Sequence, residues 1–84
     1  MPASYEKIGE LLASDQWTAA EKWVIKWQYR LLGDFNTALA TAIVRADDTN
    51  LFKLGLGFPD QVHGFLAWSR GDLGERLRKA GLDI

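Results

Sequence analysis

From Tyr5 to Leu82 the chain carries one helix signal after another, and nowhere does it alternate apolar and polar residues as an exposed strand would. That punctuation restricts the fold more than any other feature. Thr18 and Glu21 stand as Thr-x-x-Glu, a capping box in which each side chain satisfies the other residue's free backbone N–H. It predicts a second helix from about Ala19 to Leu32, with Gly33 as the left-handed stop. Ahead of it, Pro2 and Ser4 precede Tyr5, Ile8, Leu11 and Leu12 at helical spacing, and Ser14-Asp15-Gln16 breaks the run. After it, Asp34 is a ready N-cap for FNTALATAIVRA, whose Phe35, Ala38, Leu39, Ala42, Ile43 and Ala46 recur at three and four. Asp47-Asp48-Thr49 ends that helix and can cap a short one around Asn50 to Leu56, which GLGFP closes. Pro59 suits the first position of a fifth helix, where its missing N–H costs nothing. That helix runs to about Arg70 and ends at Gly71. Asp72 can cap a last one, stopped by Gly81. Short loops place neighbouring helices against each other. The expectation is a single all-α domain over residues 1–84, a compact bundle of five or six short helices.

A chain of 84 residues buries about 60% of its surface on folding. That supports one modest core and leaves little room for a deep substrate cavity. Hydrophobic residues at 48% and charged residues at 25% mark a globular chain rather than a disordered one. With no cysteine, disulfides and thiolate metal sites are impossible. No apolar run approaches the roughly 20 residues needed to span a bilayer. MPASYEKIGE has neither the basic start nor the apolar stretch of a signal peptide. These features lead us to expect a protein of the cytoplasm, with no membrane partner. The formal net charge of −1 supplies no global field towards nucleic acid or anionic lipid. Most charges also follow from helix layout. Acids such as Glu21, Asp34, Asp60 and Asp72 cluster near helix starts, and Arg30, Arg45, Arg70 and Lys79 near helix ends, as helix macrodipoles favour.

The segment WTAAEKWVIKWQY, residues 17–29, holds three of the four tryptophans. On a helical wheel Trp23, Val24, Trp27 and Leu31 fall within about 60° of Ala20, a normal core stripe. Trp17, ahead of the cap, is placed to pack as a hydrophobic staple. Lys22, Lys26 and Arg30 form a basic stripe at successive i, i+4 positions. Ile25, Tyr29 and Leu32 form a second apolar strip, about 120–180° from Ala20. If the helix is sandwiched between neighbours, that strip is core. Otherwise it is an apolar patch beside a basic stripe, which is a protein-contact surface. Trp68, on the flank of the Val62, Phe65, Leu66 and Ser69 face, is a second candidate anchor, because tryptophan is enriched at binding hot spots.

Catalytic signatures are missing. His63 is the only histidine, and Asp60 one turn earlier gives two candidate ligands, too few for a metal site. Neither Ser4, Ser14 nor Ser69 sits on a nucleophile turn. GLGFPD starts like a dinucleotide fingerprint but lacks the preceding strand and the third glycine. DDTNLFKLGLGF starts like a calcium loop but puts Leu51 and Phe52 where ligands are needed. No cofactor is expected. A helix-turn-helix built from the second and third helices would offer bases only Asn36, Thr37, Thr41 and Arg45. Lys22, Lys26 and Arg30 could track phosphates and Tyr29 could stack on a base. Net charge opposes that reading, and it stands second.

The segment from Leu31 to Leu82 resembles small helical proteins of unassigned function from proteobacterial phages and prophages. The likeness rests on Gly-Asp-Phe at 33–35, Ala-Asp-Asp-x-Asn-Leu at 46–51, Gly-Phe-Pro at 57–59 and Gly-Asp-Leu-x-x-Arg-Leu at 71–77. It implies a cytoplasmic setting in a bacterial host and an accessory role, as an inhibitor or modulator of a host protein or as an assembly factor. The sequence therefore points to a non-enzymatic domain that binds another protein, or a second copy of itself, through Lys22, Ile25, Lys26, Tyr29, Arg30, Leu32 and Trp68. A nucleic-acid-binding regulator is the alternative.

Overall fold

The computed structural model describes residues 5–84. They form six helices: α1 (Tyr5–Ala13), α2 (Ala19–Gln28), α3 (Asp34–Arg45), α4 (Asp48–Gly57), α5 (Pro59–Ser69) and α6 (Asp72–Lys79). No strand occurs among the described residues. The lead-in residues Pro2 and Ser4 lie outside them.

The caps explain most boundaries. Thr18 and Glu21 form the full capping box: the Thr18 N–H donates to Glu21 Oε1 at 2.8 Å, and the Glu21 N–H donates to Thr18 Oγ1 at 3.1 Å. Asp47 caps α4, accepting from the Asn50 N–H at 2.8 Å. Phe58 serves two helices, since its N–H donates to the Leu54 carbonyl and its own carbonyl accepts from Val62. Pro59 then opens α5 without leaving an orphan donor. Two expected caps differ. Gly33 and Gly71 occupy the N-cap positions of α3 and α6, so Asp34 and Asp72 are first-turn acids that meet the helix dipole without bonding a backbone N–H.

The stop of α2 also differs from the sequence reading. Gly33 is extended (φ −73°, ψ 177°), and the left-handed residue is Arg30, at φ 57°. The Leu31 N–H reaches the Lys26 carbonyl at 2.7 Å and the Arg30 N–H reaches Trp27 at 3.2 Å, the paired bonds of a Schellman turn. Gly81 (φ 106°) does the same for α6, through Leu82 to Leu77 and Gly81 to Arg78. A side chain in this conformation is strained. Arg30→Gly relieves that strain but loosens the unfolded chain. It is expected to raise stability by about 0.5–1 kcal/mol in denaturant unfolding.

α5 is the central helix and packs on α2, α3, α4 and α6, while α1 packs on α2. Its closest neighbour is α2, because Gly64 has no side chain. A Cβ there would lie 2.7 Å from the Ala20 carbonyl oxygen and 2.8 Å from Val24 Cγ2. The core takes Ile8 and Leu11 from α1, Trp23, Val24 and Ile25 from α2, and Leu39, Ala40 and Ile43 from α3. Val62 of α5, Leu73 and Leu77 of α6, and Leu82 complete it. The α3 stripe is rotated from its expected position. Ala40 is buried, whereas Phe35, Ala38 and Ala42 face outward. Alone among the six helices, α4 buries no residue of its own.

One polar tie joins α6 to the start of α2. Arg76 Nη1 lies 2.7 Å from Glu21 Oε2, and its guanidinium sits over the Trp17 ring at 5.2 Å. Trp17 thus packs beneath a cation. Burial alone would push the Glu21 carboxyl up. The Thr18 backbone donor, Arg76 and the Thr18 hydroxyl together outweigh burial and hold it below the ordinary value of 4.5. A lowered carboxyl stabilises the fold above its ordinary value, and that contribution is lost as pH falls through the lowered one. Glu21→Gln is expected to cost about 1–2 kcal/mol at neutral pH. The gap from wild type should close as pH falls below 4.5, measured by urea unfolding at a series of pH values.

Candidate functional site: two open faces of the bundle

The strip expected to face a partner is divided by the fold. Ile25 is 0% exposed and belongs to the core. It therefore has no surface to offer, and its place among the contact residues is corrected. The cause is tertiary: α1 and α5 both pack on α2, so the helix is covered on more than one side. Tyr29 and Leu32 are half-buried against the same core. The Tyr29 hydroxyl donates to the Asp83 carbonyl at 3.2 Å and accepts from the Asp83 N–H at 3.1 Å. Tyr29 thereby clamps the C-terminal residues onto α2. Trp68 is half-buried too, with its ring against Gly74 of α6, where a Cβ would lie 3.4 Å from Cζ3. Leu31, expected in the core stripe, is 44% exposed because α2 has ended before it. Of the tryptophans in α2, Trp23 is buried and Trp27 is half-buried. Their rings lie 5.8 Å apart, and Trp27 continues to Phe65 at 6.2 Å.

The basic stripe is divided as well. Lys22 and Lys26 line one cavity of about 340 Å³ with Trp23, Leu31, Leu32, Asn36, Asp60 and Gln61. The left-handed turn carries Arg30 to a different opening, beside Trp27, Leu32 and Thr37. The helix-turn-helix reading gains no support from α3. Asn36 Oδ1 accepts from Trp23 Nε1 at 3.2 Å, the Thr37 hydroxyl donates to the Leu32 carbonyl, and the Thr41 hydroxyl donates to Thr37. Three of the four polar residues it would offer to bases are thus engaged within the fold.

The second open face lies between α4 and α5, and the sequence reading did not single it out. Leu51, Phe52, Gly55 and Leu56 of α4 meet Val62, His63 and Leu66 of α5 around a groove of about 330 Å³, with Asp48 at its edge. Phe52 is 69% exposed, Leu56 73% and Leu66 37%. With side chains of about 150–200 Å² each, these three leave roughly 300 Å² of apolar surface in water. A signal for it exists in the sequence. Leu51 and Leu54 share one side of α4, while Phe52 and Leu56 lie about 130–170° from the middle of that side. One neighbour, α5, cannot cover both sides.

His63 is exposed and opens onto this groove, whereas Asp60 opens onto the lysine cavity, so the two do not converge. Among the described residues no group of three or more His, Cys, Asp or Glu could hold a metal ion, and no helix is long and apolar enough to cross a membrane. Comparison of the chain with protein-family models, curated proteins and solved structures gives no match.

Proposed function

We propose that this domain works by binding another protein, and that the groove between α4 and α5 receives an amphipathic helix of that partner. The observation behind this reading is the pair Phe52 and Leu56, two large apolar side chains left in water on a helix that buries none of its own residues. Folding gains nothing from that exposure, and an apolar patch of this size on a monomer is often a contact site. A helix suits the groove, because side chains at i, i+3, i+4 and i+7 can seat between two helices. In this reading the chain is an accessory protein without an enzymatic role. Its resemblance to small phage and prophage proteins adds a setting in which it would modulate a host protein or assist assembly.

The test is selection from a library of amphipathic helical peptides displayed against the whole chain. Binders should carry apolar residues at i, i+3, i+4 and i+7 and lose at least a hundredfold in affinity for Phe52→Asp/Leu56→Asp. Both positions are exposed, so the variant should keep its fold. Binders that hold wild type and variant equally would place the contact elsewhere.

A further inference from the structure

We infer that the cavity between α2, α3 and the first turn of α5 is a carboxylate-binding site, and that it takes an acidic side chain of a peptide segment. This deepens the protein-binding reading but does not depend on the groove. Lys22 and Lys26 project into one cavity from successive turns of α2. Neither ammonium group carries an ion pair or a hydrogen bond among the described residues. Two ammonium groups at this spacing repel, and an anion between them would remove the repulsion. Trp23 lines the same cavity and is 7% exposed. Its indole N–H holds Asn36 Oδ1 at 3.2 Å, which leaves the Asn36 amide donors unused by that bond. The cavity is thus lined by two cations, an amide donor and the Trp23 ring.

Asp60 and Gln61 select among anions. They line the same cavity, and Asp60 has no ion pair among the described residues. A polyphosphate backbone would bring successive negative charges against Asp60. A peptide brings one carboxylate to the lysines and offers backbone N–H groups to Asp60 and the Gln61 carbonyl. The exposed Leu31 beside the lysines gives an apolar neighbour residue of the peptide somewhere to rest. The ligand is therefore a segment with a Glu or Asp next to an apolar residue, rather than a nucleic acid.

The experiment is a titration of the isotope-labelled whole chain, followed by NMR, with an end-capped Glu-Leu repeat peptide at low salt. The controls are its Gln-Leu counterpart and a single-stranded oligonucleotide. The Trp23 indole N–H and the Lys22, Lys26 and Gly33 amides should move with the Glu peptide and stay with the Gln peptide. Affinity should fall at least tenfold in Lys22→Gln/Lys26→Gln and weaken as salt rises. An unchanged amide spectrum elsewhere checks that this variant is folded. No movement at millimolar Glu peptide overturns the site, and so does movement that survives in the lysine variant. Tighter binding of the oligonucleotide would overturn the choice of peptide. None of these results bears on Phe52 and Leu56, so the groove stands or falls by its own test.

Discussion

Gly64→Ala should destabilise the domain by about 2–3 kcal/mol, although alanine is the better helix former by about 1 kcal/mol. The added methyl would sit 2.7 Å from the Ala20 carbonyl oxygen and 2.8 Å from Val24 Cγ2. Neither can yield easily: one is backbone inside α2, and Val24 is 0% exposed. α2 and α5 would have to separate, and the contacts along their whole seam would weaken. In a domain of this size such a loss corresponds to a fall in Tm of about 10–20 °C. Gly9→Ala is the matching control. A Cβ there meets nothing within 4 Å, so the same substitution in α1 should gain about 0.5–1 kcal/mol. Thermal unfolding of the two variants should thus give shifts of opposite sign. A Gly64→Ala domain as stable as wild type would mean that α2 and α5 are not in close contact.

Ile25→Ala is expected to cost about 3 kcal/mol, within the 2–5 kcal/mol typical of emptying a buried aliphatic site. The domain as a whole holds only about 4–12 kcal/mol at its length. That is roughly a quarter to three quarters of the whole margin. The result discriminates sharply between the two readings of the Trp-rich segment. On a partner-facing surface, the same substitution would leave denaturant unfolding within about 0.5 kcal/mol of wild type and would weaken only association. Guanidinium unfolding with unchanged m-value settles which applies.

Much of the fold was legible because its signals are local. Thr18 with Glu21, Asp47 with Asn50, Pro59 and Gly81 each act within one helical turn, so sequence spacing alone locates them. Arg30 shows where local reasoning misleads. Gly33 is the better left-handed residue, yet the chain turns three residues earlier, where Leu31 can close back on Lys26. That change shortens α2, exposes Leu31 and separates Arg30 from the two lysines. The candidate surface was less legible, because exposure depends on neighbours. Ile25 and Leu56 are both aliphatic residues on apolar strips of amphipathic helices. One is covered because α2 packs against α1 and α5, while the other stays in water on a helix held chiefly by α5. The second apolar side of α4 could be read from its wheel, but nothing local says that no helix comes to cover it.

The claim that matters most is which apolar surface this domain leaves open. Solvent paramagnetic relaxation measured on methyl and aromatic resonances tests it directly, with a soluble gadolinium chelate as the probe. The Leu56 methyls and the Phe52 ring should relax fastest among the large apolar side chains of α2, α4 and α5, with Ile25 and Val24 unaffected. Protection of Leu56 together with strong relaxation of Ile25 would reverse the assignment and return the contact surface to the tryptophan-rich helix.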